Sequence, residues 1–298
     1  MKKVVCIGNV VYDITYIVDE FIKENTKVRA KQKFECKGGA AANAAQLLSS
    51  FGANTYFVGV VGNDLYGKKI IEEFKNSNVK IDYIEVNNKY NTPISSIIVN
   101  QELKTRTTLC YKDPNMKYSN KINIDADVIL IDGQEYETSL DIIRNNNAIS
   151  IIDANRVNEQ ILNLCKEVDY IITSKEFAEN FTNLKFDINN KHTYENIIRK
   201  IQNEFPNKQY VITLEDEGCM YIDSNNEIKY VPTFKVDVKD PTGAGDFFHG
   251  AFAYAIANNY TLENALRFSN IAATLSTTKF GSSNSIPQLE EVLKIYEK

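Results

Sequence analysis

Near its C-terminal end the chain reads Asp240-Pro241-Thr242-Gly243-Ala244-Gly245-Asp246-Phe247-Phe248-His249-Gly250-Ala251-Phe252. The residue before a proline is biased away from the α region, so Asp240-Pro241 ends an extended segment, and the small and aromatic residues 247–257 read as a helix. Glycines at 243 and 245 let the main chain approach a ligand closely. The N–H groups of Gly243, Ala244, Gly245 and Asp246 can therefore converge on an anion, which makes the turn a phosphate cradle. A carboxylate inside an anion site needs another task. At a helix N-terminus Asp246 is stabilised in its ionised form, ready to accept a proton from an attacking hydroxyl while the amides hold the transferring phosphoryl group. The alternative is that Asp246 is an N-cap and the glycines form a tight turn.

A second constellation is Gly38-Gly39-Ala40-Ala41-Ala42-Asn43-Ala44-Ala45, opening a helix that runs through Leu47, Leu48 and Phe51 and closes at Gly52, a natural C′ position. Packing accounts for the alanines but poorly for Asn43, whose amide offers a polyol both a donor and an acceptor. Asp13, five residues after Gly8, reads on its own as a turn residue. Gly62, Gly67 and Lys68 have the spacing of a P-loop, but Lys69 replaces the Ser or Thr that would ligate Mg²⁺ and Asp64 would put a negative charge in the cradle. That motif is a decoy. His192 and His249 lack metal-ligand spacing, and His249 is expected to be packed rather than catalytic.

The elements that must position these residues follow from hydrophobic patterning. Short apolar runs at 4–8, 55–61, 128–132, 150–153, 170–173 and 210–214 alternate with helical patterns. Continuously apolar strands suit an α/β, doubly wound, mostly parallel sheet covered by helices on both faces. Two β-rich stretches without helices, at about 14–36 and 92–111, predict inserted strands forming a small antiparallel β lid. The expectation is a single domain spanning 1–298, with that lid.

Composition limits the function. With 34 Lys+Arg against 39 Asp+Glu, a net charge of −5 and a pI near 5.3, the chain is no basic nucleic-acid binder. A chain near 300 residues buries about 75% of its unfolded surface. No apolar run approaches the roughly 20 residues that span a bilayer, and the start, Met1-Lys2-Lys3, is followed by too short an apolar stretch for a secretory segment. The five cysteines are odd in number and widely spaced, which suggests neither a disulfide framework nor a zinc site. A cytoplasmic protein is expected.

Segment 240–252 resembles the C-terminal signature of the ribokinase-like (PfkB) sugar kinase family, with its GAGD core, and the resemblance extends from Val4 to about Pro287. It implies that Asp246 is the catalytic base, that Gly243, Ala244 and Gly245 form the anion hole, and that carbonyls of Asp240 and Thr242 border a monovalent-cation site for K⁺. Pro241 stands where the family often has Thr or Ser. The N-terminal signature of the family is similar to 38–45 and implies that Gly39 and Asn43 hold sugar hydroxyls, with Asp13 a third sugar contact. Segments 104–109, 131–134 and 173–178 look most like ketohexokinase and related ketose kinases. That likeness brings Asp132 to the sugar and Arg106, on the lid, to the ATP phosphates; a solvated strand charge is the plainer reading of Arg106.

Two departures stand out. Ser174-Lys175-Glu176-Phe177 occupies the place of the family's Asn-x-x-Glu, leaving Glu176 or Glu179 as substitutes in organising Mg²⁺. Glu215 replaces the first glycine of the family's nucleotide loop, while Thr213 and Gly218 are retained for ATP contact and Asn270 is expected beside the adenine. The resemblance thus implies an ATP-dependent, Mg²⁺-using kinase acting on a primary hydroxyl of a sugar, a ketose such as fructose or a derivative, with a homodimer through lid strands. A nucleoside kinase and a non-catalytic sugar-binding regulator are the alternatives. A nicotinamide oxidoreductase is disfavoured because Gly8-Asn9-Val10-Val11, not GxGxxG, follows the first strand.

Overall fold

The computed structural model describes residues 2–103, 105–187, 189–279, 281 and 285–298. Lys104, at the head of the 104–109 motif, lies outside them.

The expected apolar runs are strands. β1 (Lys3–Ile7) lies between β4 (Asn54–Gly62) and β8 (Val128–Ile131), and it pairs in parallel with both. On one side β5 (Lys80–Asn87) completes the sheet. On the other follow β9 (Ile149–Ala154), β10 (Tyr170–Ser174), β11 (Gln209–Thr213), β12 (Cys219–Ile222) and β13 (Ile228–Val231), the last two added antiparallel, giving nine strands in all.

Alternation along these strands feeds two cores. Val4, Cys6, Phe57, Leu130 and Ile151 face one layer; Val5, Ile7, Val58, Ile129 and Ile152 face the other. The first layer is closed by α1 (Ala40–Ser50), α2 (Leu65–Asn76), α7 (Ala244–Ala257), α8 (Leu262–Ser276) and α9 (Leu289–Tyr296). The second is closed by α3 (Tyr136–Arg144), α4 (Glu159–Glu167), α5 (Lys175–Thr182) and α6 (His192–Glu204). Strands buried on both faces explain why their sequences read as unbroken apolar runs rather than alternating ones.

The stretches that broke the rhythm form a second sheet of β2 (Val11–Val18), β3 (Gln32–Gly38), β6 (Ile94–Asn100) and β7 (Thr105–Tyr111), in the order β3-β2-β6-β7. Each hairpin is antiparallel within itself, and the two meet through a parallel β2–β6 pair. No helix among the described residues is long and apolar enough to cross a membrane.

The sheet order reverses around β1, and in open α/β sheets the crevice beyond the carboxyl ends of strands at such a point receives ligands. Helices α1 and α7 approach each other on this flank. A Cβ at Gly250 of α7 would fall 2.9 Å from the Ala44 carbonyl oxygen and 3.0 Å from its Cα, so glycine there lets the two backbones meet. Gly250→Ala is expected to push α1 from α7 and cost about 1–3 kcal/mol by overpacking, read as a lower midpoint in urea unfolding.

Candidate active site

The N-termini of α1 and α7 come together at one residue pair. Asp246 stands in the first turn of α7, but Gly243 occupies the cap position with φ 83° and no side chain caps this helix. Instead, Asp246 Oδ2 accepts a 2.7 Å hydrogen bond from Asn43 Nδ2, across 203 positions of sequence. The N-cap alternative is thereby excluded. Asn43 sits in the first turn of α1, after Gly39 at φ 106°, where a Cβ would lie 2.4 Å from the Asn9 carbonyl. Only glycine fits there. The other Asn43 amide atom, Oδ1, is buried with no hydrogen-bond partner among the described residues.

The anion turn has open donors. Among the described residues the N–H groups of Gly243, Gly245 and Asp246 make no hydrogen bond, and a Cβ on Gly245 would meet nothing within 4 Å. Ala244 departs from the sequence reading, because its N–H already donates to the Pro241 carbonyl at 3.3 Å. The cradle is therefore narrower by one amide. Asp240 shapes the turn with its carboxylate, which accepts from Thr242 N at 2.9 Å and Gly281 N at 3.0 Å.

The second sheet contributes to the same site. Arg106 on β7 donates from Nη1 to Thr242 Oγ1 at 2.5 Å, so it is not simply a solvated strand charge. Asp13 on β2 lies opposite Cys36 and Ser95, and the Ser95 hydroxyl bonds its carboxylate. Gly38 makes room for it: a Cβ there would fall 2.0 Å from Asp13 Oδ2.

Burial pushes Asp246 up to about 6, with the charge of Asp153 adding to it, while the Asn43 hydrogen bond, His249 and Arg106 oppose. Burial likewise pushes Asp13 up to about 6; Ser95, Lys37 and Arg106 resist, and Asp246 reinforces. Lys37, which sequence reasoning missed, is fully buried on β3, where it donates to the Ala42 carbonyl at 3.3 Å with its ammonium 5.2 Å from the Phe74 ring centroid. Burial lowers it to about 8, against the pull of Glu73, Cys36, Asp246 and Asp13. A lysine beside a glycine pair carries no pattern that announces an inward strand position. Asp153, at the end of β9, was also missed, although a carboxylate at the carboxyl end of a parallel strand is a recognisable signal.

Other expected residues are placed differently. Asp132, expected near the sugar, is 2% exposed, and its oxygens accept from Asn9 N and Gln134 N, both at 2.9 Å. It pins the end of β8 to the end of β1, in space that a Cβ at Gly8 would fill. Burial pushes it up to about 7. Glu179 is engaged by Lys185 at 2.7 Å and Phe186 N at 3.0 Å, and Ser174 caps α5, whereas Glu176 is exposed.

Farther out, Thr213 Oγ1 donates to the Thr173 carbonyl at 3.2 Å. Gly218 has a packing reason to be glycine, since a Cβ would fall 2.2 Å from the Val231 carbonyl. Asn270 on α8 donates to that same carbonyl at 2.8 Å. It lines a cavity of about 220 Å³ with Pro232, Thr233, Phe234, Arg267 and Ile271. Thr213 and Gly218 are not among the residues lining it.

Comparison with known proteins follows this geometry. The family model described as "pfkB family carbohydrate kinase" matches residues 1–289, and the chain belongs to that family. It is 27% identical to a ribokinase of Lactococcus lactis, covering 98% of this chain and 96% of that protein. It is 22% identical to a nucleoside kinase of Methanocaldococcus jannaschii, over 100% of this chain and 98% of that one. Among solved structures, Arabidopsis thaliana ribokinase complexed with ribose and ATP superposes with a TM-score of 0.84 at 22% identity, covering 100% of this chain and 99% of that one.

The raised Asp246 has a consequence for stability. Its folded value, about 6, exceeds the ordinary 3.8, so the group favours folding fully below 3.8, and that contribution is lost as pH rises through about 6. Asp246→Asn, which keeps an oxygen for Asn43, is expected to raise Tm by about 2 °C or more at pH 7.5 and to lose that advantage at pH 4, as followed by thermal melts.

Proposed function

We propose that the chain transfers the γ-phosphoryl group of ATP to the primary hydroxyl of a furanose sugar, with Asp246 as the general base. The observation that carries this is the meeting of Asn43 and Asp246 beside unpaired amides at the head of α7. Asn43 Oδ1, Asp13 and the Gly39 backbone supply acceptors and a close approach for hydroxyl groups. Asp246 then takes the proton from the primary hydroxyl, whose oxygen bonds to the γ-phosphorus as the bridge to ADP breaks. The amides of Gly243, Gly245 and Asp246, with Arg106 above them, stabilise the charge on the phosphoryl oxygens. Ala244 contributes by shaping the turn.

ATP when bound supplies the transferable group, and the cavity beside Asn270 suits its base. No group of three or more His, Cys, Asp or Glu among the described residues could hold a metal ion by itself. Mg²⁺ would enter with the phosphates and keep much of its water, and Glu176 is the exposed carboxylate of segment 174–177. For K⁺, the carbonyls of Asp240 and Thr242 accept no hydrogen bond among the described residues and are free to ligate it.

The acceptor is where the support divides. The likeness of 104–109, 131–134 and 173–178 to ketose kinases supports a ketose such as fructose, and the Lactococcus ribokinase supports ribose. Either sugar presents a hydroxymethyl group on a furanose ring. A nucleoside does so too, as the Methanocaldococcus relative illustrates.

We further read 1–298 as one functional unit in which the second sheet is a lid, working in the cytoplasm. Its outer strand β7 is exposed throughout, with Leu109 at 75%, which supports a homodimer through lid strands. Light scattering should then give twice 33.9 kDa.

ADP release with Mg-ATP across fructose, ribose, other sugars and nucleosides, with and without K⁺, tests the reading. Tight sugar binding without ADP release would mean a regulator instead. Asp246→Asn is expected to lower kcat by about a thousandfold or more while sugar and ATP still bind. Because the base must be ionised, kcat/KM is expected to fall about tenfold per pH unit below roughly 6 and to level off above it.

A further inference from the structure

His249 lies one turn beyond Asp246 on α7, with its side chain 6% exposed, and the mechanism above leaves it unused. Its Nδ1 is 2.6 Å from the carbonyl oxygen of Gly245. A carbonyl only accepts, so Nδ1 carries a hydrogen and donates. Nε2 then faces Asp153 Oδ1 at 3.6 Å, buried and without a hydrogen-bond partner among the described residues. The Asp153 side chain is itself only 13% exposed. An imidazole lone pair opposite a carboxylate in the interior would set two acceptors against each other. A proton on Nε2 removes the conflict, turning the facing pair into an imidazolium and a carboxylate.

The surrounding charges define what that proton does. The charge of Asp153 disfavours ionisation both of Asp132, just past β8, and of the base Asp246 on α7; Asp13 on β2 adds a further negative charge, and Lys37 on β3 and Arg106 on β7 oppose. Of these groups, His249 is the one that draws Asp153 toward its ionised form, against burial.

We propose that His249, protonated on both ring nitrogens and facing Asp153 as an ion pair, is a positioning residue for the phosphoryl-transfer step. This rests on the reading of Asp246 as the base. Gly245 C=O and Asp246 N–H belong to one planar peptide and point in opposite directions. By holding the carbonyl, His249 keeps the N–H aimed into the anion turn and fixes the backbone that carries the base. Its positive charge, one turn behind Asp246, favours the ionised carboxylate and offsets Asp153. The Nε2 proton stays on His249 throughout turnover; the proton leaving the sugar goes to Asp246.

The test combines nitrogen NMR of the imidazole in the ligand-free protein with kinetics of His249→Asn, Asp153→Asn and the double variant. In the wild type both ring nitrogens of His249 should be protonated at pH 7, and Nε2 should lose its proton in Asp153→Asn. His249→Asn is expected to lower kcat about tenfold, leave the sugar KM within about twofold, and move the acid limb of kcat up by about half a pH unit. The double variant should return the limb to its wild-type position, since removing both partners removes both charges, whereas a role in packing alone would show no such rescue.

A folded His249→Asn protein with unchanged kcat and acid limb would overturn the proposal. So would an unprotonated Nε2 in the wild type. Should His249→Asn fail to fold, the Asp153→Asn spectrum decides. A wild type that releases no ADP with any acceptor sinks the kinase reading instead, and the imidazole spectrum still decides whether the dyad exists.

Discussion

A single hydrogen bond, from Asn43 to Asp246, ties together two helices that the chain builds far apart in sequence. Its formation requires that the N-terminus of α1 and the N-terminus of α7 reach the same point, and much of the molecule serves that end. Both helices lie on one face of the nine-stranded sheet and pack into the same core. The alanines of α1 and Gly250 of α7 remove the side chains that would hold the helices apart. What looks like low-information sequence, a run of alanines and glycines, is therefore the condition for placing a donor against a carboxylate to within a fraction of an ångström.

Charge is the second constraint. Asp13, Asp132, Asp153 and Asp246 are all pushed up by burial, and they share one crevice with few cations. Water or simple ion pairing would relieve them at lower cost to the fold. Instead the chain uses three different devices. Asp132 is spent on backbone amides, Lys37 is sunk wholly in the interior, and Arg106 reaches in from the other sheet. Acceptors left ready in this way are poorly solvated before a ligand arrives, which is the usual compromise between a stable fold and a preorganised site.

How much of this was legible beforehand differs by residue. The strands at 4–8, 128–132 and 170–173 were readable because burial on both faces leaves an apolar run with no alternation to mislead. Asp246 and Asn43 were readable because a carboxylate and an amide among glycines and alanines have no packing use. The backbone bonds of Asp132 were not legible, for a physical reason. Its position at a strand end was clear, but the direction of its carboxylate depends on Asn9, a partner on another strand. The Ala244 amide was likewise counted as free, since a turn that bonds itself through Pro241 has the same sequence as one that does not. Lys37 was invisible because its charge argues outward and only the register with Tyr12 turns it inward. Pairing of β2 with β6 in parallel lies beyond any local signal, as it joins segments separated by the whole of β3, α1, β4, α2 and β5.

That parallel pair has a mechanical outcome. The second sheet is woven from two separate excursions of the backbone, which passes between the sheets at 8–10, at Gly39, at 88–93 and at 112–127. A flap hung on one hinge can be released by severing one connection, but this sheet is stitched down on two strands of chain at once. Cutting the peptide bond in either excursion leaves the other as a tether that still holds the sheet in place.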